Sequence, residues 1–202
     1  MSADSTVVAE FVPDPATETA YQSEADLERE LIRLLQGQAY DYLPITSEAQ
    51  LVTNLRTQLE ALNDITFSDA EWERFFTTCV AGANDGIAEK TVRIQEDHVQ
   101  VLARDDGTSK NVRLIDKANI HNNRLQVINQ YEVPRGGNQD GGGTHANRYD
   151  VTILVNGLPL VHVELKRRGV GIREAFNQID RYQRDTFWSG SGLFEYVQLF
   201  VI

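Results

Sequence analysis

The chain has 202 residues and a formal net charge of −11, a length that suits one domain or one domain with a small extension. So large an acidic surplus argues against a protein that grips nucleic acid over its whole surface. Hydrophobic residues make up 41% of the chain, enough for a core, but every apolar run is strand-sized and none approaches the ~20 residues of a membrane span. No secretory signal opens the sequence. Cys79 is the single cysteine, so no internal disulfide forms, and no Cys/His grouping has zinc spacing. A cytoplasmic protein with no membrane partner is the expectation. The charge is uneven, however. Residues 145–184 hold seven Lys/Arg against four Asp/Glu, so a basic strip on an acidic body can admit a polyanion locally. Chance clustering on a solvated surface is the plain alternative.

Residues 1–20 carry Pro13 and Pro15 and little apolar periodicity, and are expected to form a loose arm before a domain spanning 21–202. The first helix starts at Ser23, framed by Asp26, and closes at Gly37. Leu27, Leu31, Ile32, Leu34 and Leu35 make its apolar arc, roughly −20° to 140° on the helical wheel with Leu27 at zero. Glu24 falls at about 60° and Glu28 at about 100°, both inside that arc. A carboxylate in the first turn suits the helix dipole, which accounts for Glu24. Glu28, one turn further in, asks for another reason. Helices over 48–62 and 69–81 follow, opened by Ser47 with Gln50 and by Ser68 with Glu71. Their stripes of Leu, Trp and Phe read as core, as does Cys79.

From about residue 92 the pattern turns to strand. A hairpin is predicted around Asp105-Asp106-Gly107, then a long strand over 125–133. Residues 134–144 contain five glycines and read as a flexible loop. No Gly-x-x-x-x-Gly-Lys pattern occurs, so this stretch is not a phosphate-binding loop and the chain should not bind ATP by that route. A second hairpin covers about 148–155 and 159–166, then a helix of about 172–186 with Gln178 and Tyr182 along one edge. A last strand lies over 196–202. The sequence stopping inside a strand suggests a piece of a longer polypeptide.

The second hairpin carries the chemistry. Asp150 heads one apolar strand, and the other ends in Glu164-Leu165-Lys166. Side chains alternate along a strand, so Glu164 and Lys166 share a face. Whether Asp150 joins them depends on register. A plain two-residue Asn156-Gly157 turn would set Asp150 against Val163, with the carboxylates on opposite faces. A three-residue loop, Val155-Asn156-Gly157, would set Asp150 across from His162 and diagonal to Glu164. A shared site therefore predicts an odd loop or a bulge. Given it, Asp150, Glu164 and the backbone carbonyl of Leu165 offer hard oxygen ligands to Mg²⁺. The metal would hold a scissile phosphate and acidify a bound water. Lys166 would position or deprotonate that water and offset phosphate charge. Gln178 and Tyr182 would steady the lysine and a DNA phosphate, and Glu28 would reach the same pocket. A structural salt bridge at a strand end is the competing reading, and His162 reads as a packing residue.

The hairpin and helix resemble the PD-(D/E)xK nuclease superfamily, with Glu28 matching its helix-one glutamate. More closely, the chain resembles the N-terminal endonuclease region of the restriction subunit of type I restriction-modification enzymes. Tyr21-Gln-Ser-Glu-Ala-Asp-Leu-Glu-Arg-Glu-Leu-Ile32, Leu114-Ile-Asp-Lys117, His145-Ala-Asn-Arg-Tyr-Asp-Val-Thr-Ile-Leu-Val-Asn-Gly-Leu-Pro-Leu160, Glu164-Leu-Lys166, Arg173-Glu-Ala-Phe-Asn-Gln178 and Gln198-Leu-Phe-Val-Ile202 carry that likeness. Gln178 and Tyr182 match the family's Gln-x-x-x-Tyr motif. The resemblance implies an α/β fold with a central mixed sheet flanked by helices, and extra helices in the N-terminal half. It implies a Mg²⁺-dependent endonuclease acting on double-stranded DNA, with Asp150, Glu164, Lys166, Gln178, Tyr182 and Glu28 in the site. It also implies methylation and specificity subunits as partners, and ATP consumed by motor domains absent from this chain. Two other functions fit less of the sequence: a docking or coupling module for the motor and methyltransferase, and a stand-alone resolvase-type nuclease.

Overall fold

Three helices begin at serines. In the computed structural model, which describes residues 23–133, 147–167, 173, 177 and 192–202, α1 (Glu24–Gly37), α2 (Glu48–Asn63) and α3 (Asp69–Phe75) follow Ser23, Ser47 and Ser68. Each serine hydroxyl accepts the N–H three residues on, and the side chain there (Asp26, Gln50 or Glu71) reaches back to the serine N–H. Two orphan donors are thus met at each start. α3 is shorter than its stripe suggested, because the chain loosens into a π-helical turn over Phe76–Val80. A fourth helix, α4 (Ile87–Gln95), gives little warning in the sequence. It is short, and it starts at Gly86, whose N–H is met by Glu89 Oε2 at 2.9 Å.

The strands are β1 (Asp41–Tyr42), β2 (Val99–Ala103), β3 (Ser109–Arg113), β4 (Leu125–Val133), β5 (Asn147–Val155), β6 (Leu158–Val163) and β7 (Leu199–Val201). Among the described residues five of them form a sheet in the order β1-β4-β5-β6-β7, and β2 and β3 form a separate hairpin. The central pairs are antiparallel, while β1 runs parallel to β4 and β7 parallel to β6. The architecture is α/β with a mixed central sheet, as expected.

Alternation along β4 divides the core. Val127 packs with Val151 and Val163 against Leu31, Ile32 and Leu35 of α1. Ile128, one residue on, joins the larger core with Leu51, Leu55 and Leu59 of α2 and the Phe67, Trp72 and Phe75 cluster. Helices therefore cover both faces of the sheet. Leu34, expected in the apolar arc of α1, is 48% exposed. It lies at the rim of that arc, beyond the reach of the sheet.

The β5–β6 turn is held from three sides. Asn156 and Gly157 are both left-handed, with φ of 50° and 84°, the conformation a two-residue hairpin turn needs. The Asn156 side chain is buried and fully used. Its Nδ2 donates to Leu114 O at 3.0 Å and Asn123 Oδ1 at 2.8 Å, and its Oδ1 accepts from Arg124 N at 2.8 Å. Gly157 lies so close to α2 that an added Cβ would sit 2.6 Å from Leu55 Cα. The far edge is held by a buried ion pair: Lys90 of α4 meets Glu195 in the 3₁₀ turn Leu193–Tyr196 that leads into β7. Lys90 Nζ also donates to the carbonyls of Asp85 (3.3 Å) and Gly192 (3.1 Å), so the buried ammonium is satisfied in full.

Gly157→Ala tests the turn. The left-handed backbone costs a Cβ roughly 1–2 kcal/mol, and crowding against Leu55 adds about 1–3 kcal/mol. The urea unfolding midpoint should fall accordingly, with an unchanged slope.

Candidate active site

One extra residue decides where the carboxylates meet. β5 and β6 pair as Val155↔Leu158 and Leu154↔Pro159, then resume as Ile153↔Val161, Thr152↔His162 and Val151↔Val163. Leu160 is skipped, as in a β-bulge. The turn is therefore the two-residue form, not a three-residue loop, and the bulge alone makes the one-residue correction. Continued by one position, the register sets Asp150 directly across from Glu164, not diagonal to it, and directly opposed side chains share a face. β6 ends as a regular strand at Val163, short of the expected residue 166. Glu164 N still donates to Val201 O at 2.9 Å, so β7 holds the line for one residue more.

The groups at this end of the sheet are tightly interlocked. Asp150 Oδ2 accepts from the N–H of Leu165 at 2.9 Å, so the contact between them uses the Leu165 amide rather than its carbonyl. Glu164 is fully buried. Its Oε1 accepts from Lys166 Nζ at 2.7 Å, and its Oε2 lies 3.6 Å from His162 Nε2. Glu28 of α1 accepts from the side-chain amides of Asn129 and Gln130. Glu24 Oε1, a turn earlier, accepts from Arg167 N at 3.4 Å. Both glutamates thus face this end of the sheet. Gln178, Tyr182 and the glycine-rich loop over 134–144 lie outside the described residues, as does the arm over 1–20. Of the helix expected over 172–186, Arg173 and Asn177 are described, and both are helical.

The electrostatics divide the two acids. Burial first, and then the Glu164 charge, push the Asp150 carboxyl from 3.8 up to about 6 against the pull of the Leu165 N–H and Lys166. Burial also opposes ionisation of Glu164, but His162 and Lys166 outweigh it and hold that carboxyl below its ordinary value. Burial works against the Lys166 charge, yet Glu164 and then Asp150 and Glu24 raise it. Lys166 is therefore an ammonium at neutral pH. In this state it donates hydrogen bonds and balances charge.

The residues suit a hard cation. Glu164 Oε2 is buried with no hydrogen-bond partner among the described residues, and Asp150 carries an ionisation cost that a cation would relieve. Among the described residues, no three His, Cys, Asp or Glu side chains are grouped closely enough to hold a metal by themselves. A cation here would complete its shell with backbone oxygen, water or substrate, which suits Mg²⁺. The Asn129 and Gln130 amides were not anticipated. Polar residues in mid-strand were the available signal, and alternation alone could not show both reaching one carboxylate.

A mixed sheet flanked by helices, with an acid–acid–lysine group at the end of its central hairpin, defines an α/β protein with a buried polar site. The chain belongs to the family described as type I restriction enzyme R protein N terminus, whose model matches residues 21–202. It is 50% identical over 197 residues to the type I restriction enzyme EcoprrI endonuclease subunit of Escherichia coli, covering 97% of this chain and 60% of that protein. It is 40% identical over 187 residues to the SsaAORF53P endonuclease subunit of Staphylococcus saprophyticus, and 39% identical over 189 residues to the SauMSSORF170P endonuclease subunit of Staphylococcus aureus. Those alignments cover 90% and 91% of this chain and 18% of each staphylococcal protein. The chain thus spans three fifths of the first relative and under one fifth of the other two.

The raised Asp150 carboxyl has a thermodynamic consequence. Its folded value of about 6 lies above the ordinary 3.8, so the folded state binds the proton more tightly. Its contribution to stability is fully present below about pH 4 and is lost as pH rises through 6. Asp150→Asn keeps an acceptor for the Leu165 N–H and removes that loss. Without divalent metal, the variant should melt above the parent at pH 7.5, and the two curves should converge below pH 4.

Proposed function

We propose that this chain is the nuclease region of a type I restriction subunit. On this reading it has a PD-(D/E)xK core and hydrolyses phosphodiester bonds of double-stranded DNA with the help of Mg²⁺. One observation carries the reading: the β6 bulge brings Asp150 and Glu164 together beside Lys166, in a chain whose relatives are endonuclease subunits. A structural salt bridge needs one carboxylate and one cation, and has no use for a second acid whose ionisation is opposed.

Asp150 and Glu164 would hold the cation, which when bound supplies Lewis acidity at the scissile phosphate and acidifies a water. The Glu164 carboxylate, hydrogen-bonded to Lys166 Nζ, also favours the ammonium form. Lys166 then orients the attacking water and balances the negative charge that builds on the phosphoryl oxygens. Water oxygen bonds to phosphorus as the bond to the leaving oxygen breaks; the water's proton passes to solvent, and the leaving oxygen takes one from solvent. The interlocking of Lys166, Glu164 and Leu165 N fixes these groups before substrate arrives, so little reorganisation is needed. Gln178 and Tyr182 are assigned to the same site through their motif. On this reading target choice and ATP-driven movement come from elsewhere in a complex with methylation and specificity subunits.

The test is Asp150→Ala and Lys166→Ala in the full-length subunit, assembled with its partners. Cleavage of unmodified DNA should fall at least about 100-fold while DNA-stimulated ATP hydrolysis continues. Undiminished cleavage by either variant refutes the reading.

A further inference from the structure

Gln130 breaks two local rules at once. Its φ is +52°, a left-handed conformation that such side chains rarely adopt. Its Oε1 is buried without a hydrogen-bond partner among the described residues. It also interrupts a ladder. β4 and β5 pair at Asn129↔Val151 and again at Tyr131↔Tyr149, and the position between, Gln130 against Asp150, is unpaired.

The irregularity has a visible result. Neighbouring side chains in a regular strand point to opposite faces, yet Asn129 and Gln130 reach the same carboxylate. Asn129 Nδ2 donates to Glu28 Oε1 at 2.7 Å, and Gln130 Nε2 donates to Glu28 Oε2. The Asn129 amide is itself oriented by Tyr42 of β1, whose hydroxyl donates to Asn129 Oδ1 at 2.9 Å. That bond leaves the Nδ2 end for Glu28.

We infer that Asn129 and Gln130 are positioning residues that clamp Glu28 at the level of Asp150 on the neighbouring strand, with Tyr42 setting the clamp. The inference rests on the nuclease reading above and extends it to residues which that reading does not use. Each Glu28 oxygen spends one lone pair on an amide and keeps another. Among the described residues Glu28 is not grouped with two other acids, and the role inferred for it is to accept from water around a cation. Mg²⁺ retains several such waters. The left-handed turn at Gln130 is the local strain that this arrangement requires.

The experiment is a calorimetric titration with Mn²⁺, paired with thermal melts, on the parent, D150A, Q130G, Q130E, E28Q and the Q130G/E28Q double variant. Glycine adopts the left-handed turn without strain, so Q130G should melt at or above the parent. It should nonetheless bind Mn²⁺ about tenfold or more weakly, the usual scale for an outer partner of a metal site. Q130E, which replaces the donor with an acceptor, should weaken binding at least as much. Adding Q130G to E28Q should cost nothing further, because the clamp acts through Glu28. Parental affinity in both Gln130 variants overturns the inference, as does a Q130G loss that adds in full to that of E28Q. If D150A binds Mn²⁺ as the parent does, the nuclease site is what fails, and the result is told apart by that variant alone.

Discussion

The acidic end of the sheet depends on one skipped residue. A two-residue turn fixes a hairpin's parity, and parity decides which side chains share a face. Asn156 and Gly157 impose a turn that by itself would keep Asp150 and Glu164 apart. The bulge at Leu160 shifts β6 by one and brings them together. Neither element can drift. Asn156 is tied to Leu114, Asn123 and Arg124, and Gly157 is pressed against the α2 backbone. The tip of the hairpin is locked into the larger core so that its open end can hold an arrangement that is electrostatically unfavourable.

That contrast runs through the molecule. Several buried charged groups away from the site are well matched. Glu71 caps α3, accepts from Asp105 N and pairs with Arg104. Asp116 accepts from Ala118 N, Asn119 N and the Asn122 amide, and its carboxyl is held below the usual range by those bonds. Lys90 has one carboxylate and two carbonyls. Such groups stabilise the fold because every charge has its partner. At the hairpin end the balance is reversed: two acids share one lysine, and the second acid ionises at a cost. A buried acid whose ionisation is opposed, beside a second acid and a lysine, is a common mark of a functional site.

Much of this was legible in the sequence because it rests on local rules. The Ser-x-x-Asp/Gln/Glu starts located three helices, and the strand over 125–133 is β4 to the residue. The juxtaposition of Asp150, Glu164 and Lys166 followed from asking what parity a shared site would need. Other features depend on distant partners and left no local trace. Whether the shift would come from a longer loop or a bulge is decided by how the turn packs on α2, not by Asn156-Gly157 alone. α4 lacks a polar cap residue and is defined by Lys90 and Arg93 meeting Glu195, Asp85 and Tyr196. The exposure of Leu34 reflects where the sheet ends, which a helical wheel does not contain.

The helical wheel did raise one question that only the sheet could answer: why Glu28 points inward with the leucines. The left-handed turn at Gln130 supplies the reason, and it does more than furnish a second amide. Before it, Asn129 and Val151 lie on the α1 side; after it, Tyr131 and Tyr149 belong to the larger core. β4 and β5 therefore exchange faces together at the level of Asp150. A regular ladder would have presented Asp150 to one side only and buried or exposed it with its neighbours. Asp150 lies at the exchange point, opposite Glu164 and within the field of Glu28 from α1. The bulge in β6 and the kink in β4 are two departures from regular pairing, on either side of one aspartate. Together they set the register at that aspartate.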